Sequence, residues 1–196
     1  MKKPIILCDC AGMSNDQWLK CRAHGPKGDI PYTVGGSDVA TIFGLSPWMT
    51  PLELWMIKKG RMKTPVKSNP DQLEMGHLLE PIAAYWYQKK TGNTVFDDTN
   101  LYQHADHPYA LANMDRRYTR KVDGEPGILE CKSCTYHKAG DWADDAYPLY
   151  YELQLRFYLS FEETKHGAFS CIWGNNPDND LAIPELTRDQ AKEDMI

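Results

Sequence analysis

The feature that most constrains this chain is a change of hydrophobic period in its middle, built around a dense turn signal. Residues 110–122 (ALANMDRRYTRKV) and 127–133 (GILECKS) read as strands, and Asp123-Gly124-Glu125-Pro126-Gly127 stands between them. Two such runs joined by a cluster of turn residues predict an antiparallel hairpin. Elsewhere the period is mostly helical. Residues 14–23 form a short helix capped by Ser14 or Asn15, and Gly35 and Gly36 precede a short apolar helix ending near Gly44. Thr50, Pro51 and Glu53 make a capping box with proline in the first turn, and Gly60 stops that helix. A longer helix spans 72–90, with Leu78, Leu79, Ile82, Ala83 and Trp86 as its apolar stripe. After the hairpin come a helix opened by Pro148, a strand over 166–173 and a short strand near LAIPEL. Helices, hairpin, helix and strand in that order predict an α/β layer with a mixed sheet.

The hairpin also carries the charged residues that matter. Glu130 and Lys132 are two apart on the second strand, so their side chains leave the same face. The hairpin can bring Asp115, on the first strand, beside Glu130. Two carboxylates with open water positions suit Mg²⁺, a hard cation that prefers oxygen ligands and keeps several waters. The Cys131 carbonyl could add another oxygen. A lysine next to them can orient and help deprotonate a water, or stabilise charge on a phosphoryl group. A D…E-x-K pattern on its own is more often a surface ion pair. Here Ile128 and Leu129 lead straight into the charges, as in a core strand whose end opens into a cleft.

Composition narrows the class. The chain has 196 residues, a 42% hydrophobic and a 25% charged fraction, and a net charge of −5. No apolar run approaches the roughly 18 residues of a membrane span. The opening MKKPIILCDC has too short an apolar patch for a secretory signal, so the chain reads as cytoplasmic. A negative net charge argues mildly against DNA binding. Basic residues are nevertheless grouped, as Lys58, Lys59, Arg61, Lys63 and Lys67, and as Arg116, Arg117, Arg120 and Lys121. The six cysteines read as free thiols. Cys131 and Cys134 form a C-x-x-C without the second ligand pair that a zinc site wants.

Five stretches in order resemble one known family. They are WLKCRAHG (18–25), GGSDVATIFGLSPWMTPLELW (35–55), GHLLEPIA (76–83), LANMD (111–115) with ILECKS (128–133), and YYELQLRFYL (150–159). The chain looks like the YqaJ-type viral recombinases, relatives of the phage lambda exonuclease in the PD-(D/E)xK nuclease superfamily. The resemblance implies a restriction-endonuclease-like core, a central mixed β-sheet flanked by helices, in one domain over 1–196 with its core at about 14–186. It implies a 5′-to-3′ exonuclease that hydrolyses double-stranded DNA in phage or prophage recombination, using Mg²⁺ or Mn²⁺. Asp115, Glu130, the Cys131 carbonyl and Glu80 would hold the metal, Lys132 would orient the water, and Gln154 would line the site. Arg22 and Ser37 would hold a terminal 5′-phosphate. Linear duplex ends, a single-strand annealing protein and a homotrimeric ring are the implied partners, in a bacterial or phage-infected cell. The alternatives are a DNA-end-binding module without catalysis and an endonuclease on the same core. Met114 stands where the superfamily's name has proline, and 26–33 (PKGDIPYT) is an insertion between Arg22 and Ser37. The final TRDQAKEDMI reads as the start of a further helix, so the chain is expected to be cut short there.

Overall fold

The computed structural model describes residues 2–65 and 70–196, so Lys67 of the first basic group lies outside the described residues. In chain order the elements are β1 (Ile5–Asp9), α1 (Asn15–His24), α2 (Gly36–Ile42), α3 (Pro51–Lys58), α4 (Pro70–Thr91), β2 (Thr94–Asp97), β3 (Asn100–Gln103), β4 (Leu111–Ala112), β5 (Arg116–Thr119) and β6 (Pro126–Ser133). A 3₁₀ segment (Tyr136–Asp145) then leads to α5 (Leu149–Leu159), β7 (His166–Ile172), β8 (Leu181–Ala182), β9 (Glu185–Thr187) and α6 (Gln190–Glu193). The predicted class holds: a mixed sheet ordered β2-β5-β6-β7-β8, with β9 also on β7, is flanked by helices.

The hairpin forms as β5 and β6, with Arg116 opposite Leu129 and Thr119 opposite Pro126. Strands β6 and β7 are parallel from Gly127/His166 to Ser133/Ile172. A parallel pair needs a long return connection, and the 3₁₀ segment with α5 supplies it. Both strands are buried on their two faces, as their near-continuous apolar runs require. On one face Leu129, Cys131 and Ala168 pack with Ala83, Ala84 and Tyr87 of α4. On the other, Ile128 and Phe169 join Leu155, Tyr158 and Leu159 of α5 and Val39 of α2.

Two expectations need correction. The run 110–122 is not one strand. Leu111 and Ala112 pair with β3 in a separate three-stranded sheet, β1-β3-β4, and the chain enters the main sheet only at Arg116. Asp115 therefore sits at the step between sheets rather than on a strand. The step is held by the Asn113 side chain, whose Nδ2 donates to the Asn100 carbonyl at 2.9 Å. Strand β1, which precedes the stretch 14–186, completes the second sheet through antiparallel pairing with β3. Strands β1, β2 and β3 and the 3₁₀ segment had no clear periodic signal. The final strand is divided into β8 and β9, on either side of Ile183 and Pro184. The Thr50/Glu53 capping box and Pro51 start α3 as expected, and Ser14 caps α1 with Gln17 completing its box.

Candidate active site

The step between the sheets places three of the expected residues together. The hairpin register, extended by one residue, sets Asp115 against Glu130, and Asp115 Oδ2 accepts a hydrogen bond from the Cys131 amide at 2.9 Å. The Glu130 side chain is only 1% exposed. Its Oε1 meets Lys132 Nζ at 2.6 Å and also accepts from Gln154 Nε2. Lys132 Nζ donates to Gln154 Oε1 at 3.3 Å and lies 4.7 Å from the Tyr151 ring centroid. Gln154 Nε2 also donates to the Tyr158 hydroxyl at 3.1 Å. Tyr151, Gln154 and Tyr158 thus form one face of α5 over the charged end of β6. Neither tyrosine was singled out for the site from sequence. The signal was present in their i, i+3, i+7 spacing about Gln154.

The electrostatics follow from this crowding. Burial and the nearby Asp115 carboxylate push Glu130 up to about 8, with Lys132 partly opposing them. Burial and Asp115 also raise Glu80. Burial pulls the Lys132 ammonium down, but Glu130 and Asp115 more than offset it, and the net shift is upward. Beside these two carboxylates Lys132 is a charged donor, not a base. Glu80 turns its Oε1 to His77 Nδ1 at 3.0 Å, and Arg116 brings a cation to the rim, donating to the Asp115 carbonyl at 2.5 Å and pairing with Asp97 at 3.0 Å.

A carboxylate whose folded pKa is raised stabilises the fold only while protonated there. The contribution is full below its ordinary value of 4.5 and is lost as pH rises to about 8. Wild-type stability should therefore fall over that window, and Glu130→Gln, which cannot ionise, should flatten the fall. Denaturant unfolding at about pH 5 and about pH 8.5 reads this directly. Equal pH slopes for the two proteins would show that Glu130 does not carry the shift.

The residues present fit a divalent cation in one specific respect. Glu130 Oε2 is buried and has no hydrogen-bond partner, which is uncommon for a buried polar oxygen. Among the described residues, no three His, Cys, Asp or Glu side chains converge into a metal cage. Asp115 Oδ2 is engaged by the Cys131 amide and Glu80 Oε1 by His77. What remains is a sparse oxygen set, which suits Mg²⁺, a cation that keeps several of its own waters.

Arg22 lies beside Gly35, two residues before Ser37. The insertion over 26–33 folds back on α1. The Thr33 hydroxyl contacts the carbonyls of Arg22 at 2.6 Å and Ala23 at 3.2 Å, so the chain returns to where it left. Arg22 stacks on Trp18 at 4.5 Å, and a Cβ at Gly35 would stand 3.3 Å from its guanidinium. Ser37 is exposed on the first turn of α2. Gly36 has a packing role. A Cβ at Gly36 would come 2.7 Å from the Tyr158 ring, so glycine is what lets α2 seat against α5. The Gly35 amide already donates to Asp38 Oδ2 at 2.9 Å, and Asp38 pairs with Lys58 at 2.7 Å. The second basic group is largely committed internally: Arg117 pairs with Asp98 and Glu162, and Arg120 with Asp123. All six cysteines are free, with Cys131 and Cys171 buried. Among the described residues no helix is long and apolar enough to cross a membrane.

Comparison with known proteins agrees with this fold. The chain is 32% identical over 197 residues to a protein named YqaJ from Bacillus subtilis (strain 168), in an alignment covering all of this chain and 57% of that one. The chain thus spans little more than half the length of that relative. An alkaline exonuclease, LHK-Exo, from Laribacter hongkongensis shares the fold at a TM-score of 0.70 and 17% identity, covering 92% of this chain and 86% of that one. A phage-related exonuclease from Haemophilus somnus 129PT aligns at a TM-score of 0.57 and 12% identity, covering 83% and 87%. The model of the YqaJ-like viral recombinase domain matches residues 17–165, which takes in Arg22, Ser37, Glu80 and the whole Asp115–Glu130–Lys132–Gln154 group. By that match the chain belongs to the YqaJ-like viral recombinase domain family.

Proposed function

We propose that this chain is a metal-dependent DNA exonuclease that degrades linear duplex from a 5′ end. The observation that carries the proposal is the unpartnered, buried Glu130 Oε2, on a carboxyl whose other oxygen meets Lys132 and whose strand register sets it against Asp115. The exonuclease activities named for LHK-Exo and for the Haemophilus phage-related protein support the choice of reaction. Asp115, Glu130 and the Cys131 carbonyl would hold Mg²⁺ or Mn²⁺, with Glu80 adding a further carboxylate. Such a cation neutralises charge on the scissile phosphate and acidifies water. Lys132 holds the attacking water and faces the charge that builds on the phosphoryl oxygens. Gln154 bridges Glu130 and Lys132 and fixes their mutual orientation. The decisive assay compares end-labelled linear duplex with covalently closed circular duplex, in Mg²⁺ and in EDTA. Release of nucleotides from the linear form alone, and only with metal, is expected. Cleavage of the closed circle would make the chain an endonuclease, and DNA binding without cleavage would make it an end-binding module.

The same proposal assigns Arg22 and Ser37 to a terminal 5′-phosphate. Arg22 presents a planar, permanently charged fork beside Gly35, and Ser37 offers a hydroxyl donor two residues on. A terminal monoester carries up to one charge more than an internal diester, so the contact favours ends. Degradation should be several-fold faster on 5′-phosphorylated than on 5′-hydroxyl duplex, and Arg22→Ala should erase the difference. Equal rates on both ends for the wild type remove this contact and leave the metal site standing.

A further inference from the structure

Trp48 is 69% exposed, an unusual position for so large an apolar side chain. The loop that carries it, between α2 and α3, is nonetheless well braced. The Trp48 amide donates to Ser46 Oγ at 3.2 Å, and two residues later the Thr50 amide and hydroxyl both reach Glu53 Oε2 at 2.7 Å. The indole meets Tyr150 edge to face, with centroids 5.0 Å apart and planes at 78°. Tyr150 in turn meets Tyr151 at 4.5 Å, and Tyr151 carries Lys132 Nζ at 4.7 Å. A continuous line of rings therefore runs from the lysine of the site to a solvent-facing indole. Other rings contributed by α1, α3 and the loop between α1 and α2 are paired with cations: Arg22 on Trp18, Lys59 on Tyr32 and Arg61 on Trp55.

Cations that track a phosphate chain, interleaved with rings on which bases stack, are the physical recipe for binding single-stranded nucleic acid. A base inside a duplex is covered on both faces by its neighbours. Only an unpaired base has a π-face to offer an indole. We propose that Trp48, backed by Tyr150, is a stacking platform for the base of an unpaired nucleotide next to the cleavage site. The proposal rests on the nuclease reading above and adds the side chain that receives the unpaired base.

The test is equilibrium binding of a duplex with a short unpaired tail, with Ca²⁺ in place of Mg²⁺ to suppress turnover, against the same duplex whose tail nucleotides lack bases. Stacking contributes roughly 1–3 kcal/mol per base, so base removal should weaken wild-type binding at least about fivefold. Trp48→Ala should bind the intact tail at least about fivefold more weakly and no longer distinguish the two tails, while Trp48→Phe keeps part of the difference. A 2-aminopurine in the tail should be quenched by the wild type and not by Trp48→Ala. Equal discrimination by wild type and Trp48→Ala overturns the platform, as does a wild type indifferent to the bases. A Trp48→Ala protein that changes its sedimentation while keeping its discrimination overturns it too, and assigns this face to contacts between copies of the chain. Digestion of linear duplex by the wild type, measured separately, decides the nuclease reading whatever Trp48 does.

Discussion

Asp115→Asn is expected to abolish cleavage, with a loss of at least roughly 10³-fold, the upper end of one electrostatic contribution to a transition state. The side chain has two roles that this substitution separates. Its Oδ2 accepts from the Cys131 amide at 2.9 Å and helps pin the step between the two sheets. An asparagine carbonyl can still accept that bond, so the fold should survive, and circular dichroism and unfolding midpoint should change little. The negative charge is lost, and with it the attraction for a divalent cation. Asp115 is also among the causes that raise Glu130 and Glu80, so both should titrate lower in the variant. Single-turnover digestion with saturating enzyme is the measurement. Full activity of Asp115→Asn, or full wild-type activity in excess EDTA, would end the metal-dependent account.

Lys132→Ala should lower turnover by roughly 10²-fold or more, the scale of one general acid–base or electrostatic group, with a much smaller effect on DNA affinity. The geometry gives a second signature. Lys132 Nζ is the cation beside buried Glu130, at 2.6 Å, and is itself only 18% exposed. Removing one partner of a buried pair leaves the other uncompensated. Because Lys132 opposes the upward shift of Glu130, its loss should move Glu130 further up. The residual activity should then require a higher pH than the wild type, in parallel with metal binding. A variant that loses affinity but keeps its rate at saturation would reduce Lys132 to a phosphate contact.

Much of the site was legible because local rules happened to coincide there. Strand alternation alone puts Glu130 and Lys132 on one face of β6, and the turn residues 123–127 alone imply the hairpin that brings Asp115 near them. Glu80, Gln154, Arg22 and Ser37 are a different case. Nothing in their local sequence marks them; family resemblance picked them out. Their positions depend on where α4, α5, α1 and α2 pack. The strand breaks were not legible either. ALANMDRRYTRKV is a sound strand pattern, and only the competition of β3 for Leu111 and Ala112 splits it. The same step frees Asp115 from a ladder and gives its carboxylate the Cys131 amide.

By itself, then, the sequence determined the α/β class, the capped starts of α1 and α3, the hairpin and the shared face of Glu130 and Lys132, because each depends on contacts within a few residues. Tertiary structure alone decided that the Glu130 carboxylate is buried with one oxygen unpartnered, that Gln154 bridges it to Lys132, and that a 26–33 insertion closes on Thr33 rather than carrying Arg22 away. It also decided that Tyr151, Tyr150 and Trp48 line up outward from the lysine. Burial and long-range pairing are properties of the packed whole, since a side chain's exposure and partners depend on segments far away in the chain, and no local pattern encodes which segment will arrive.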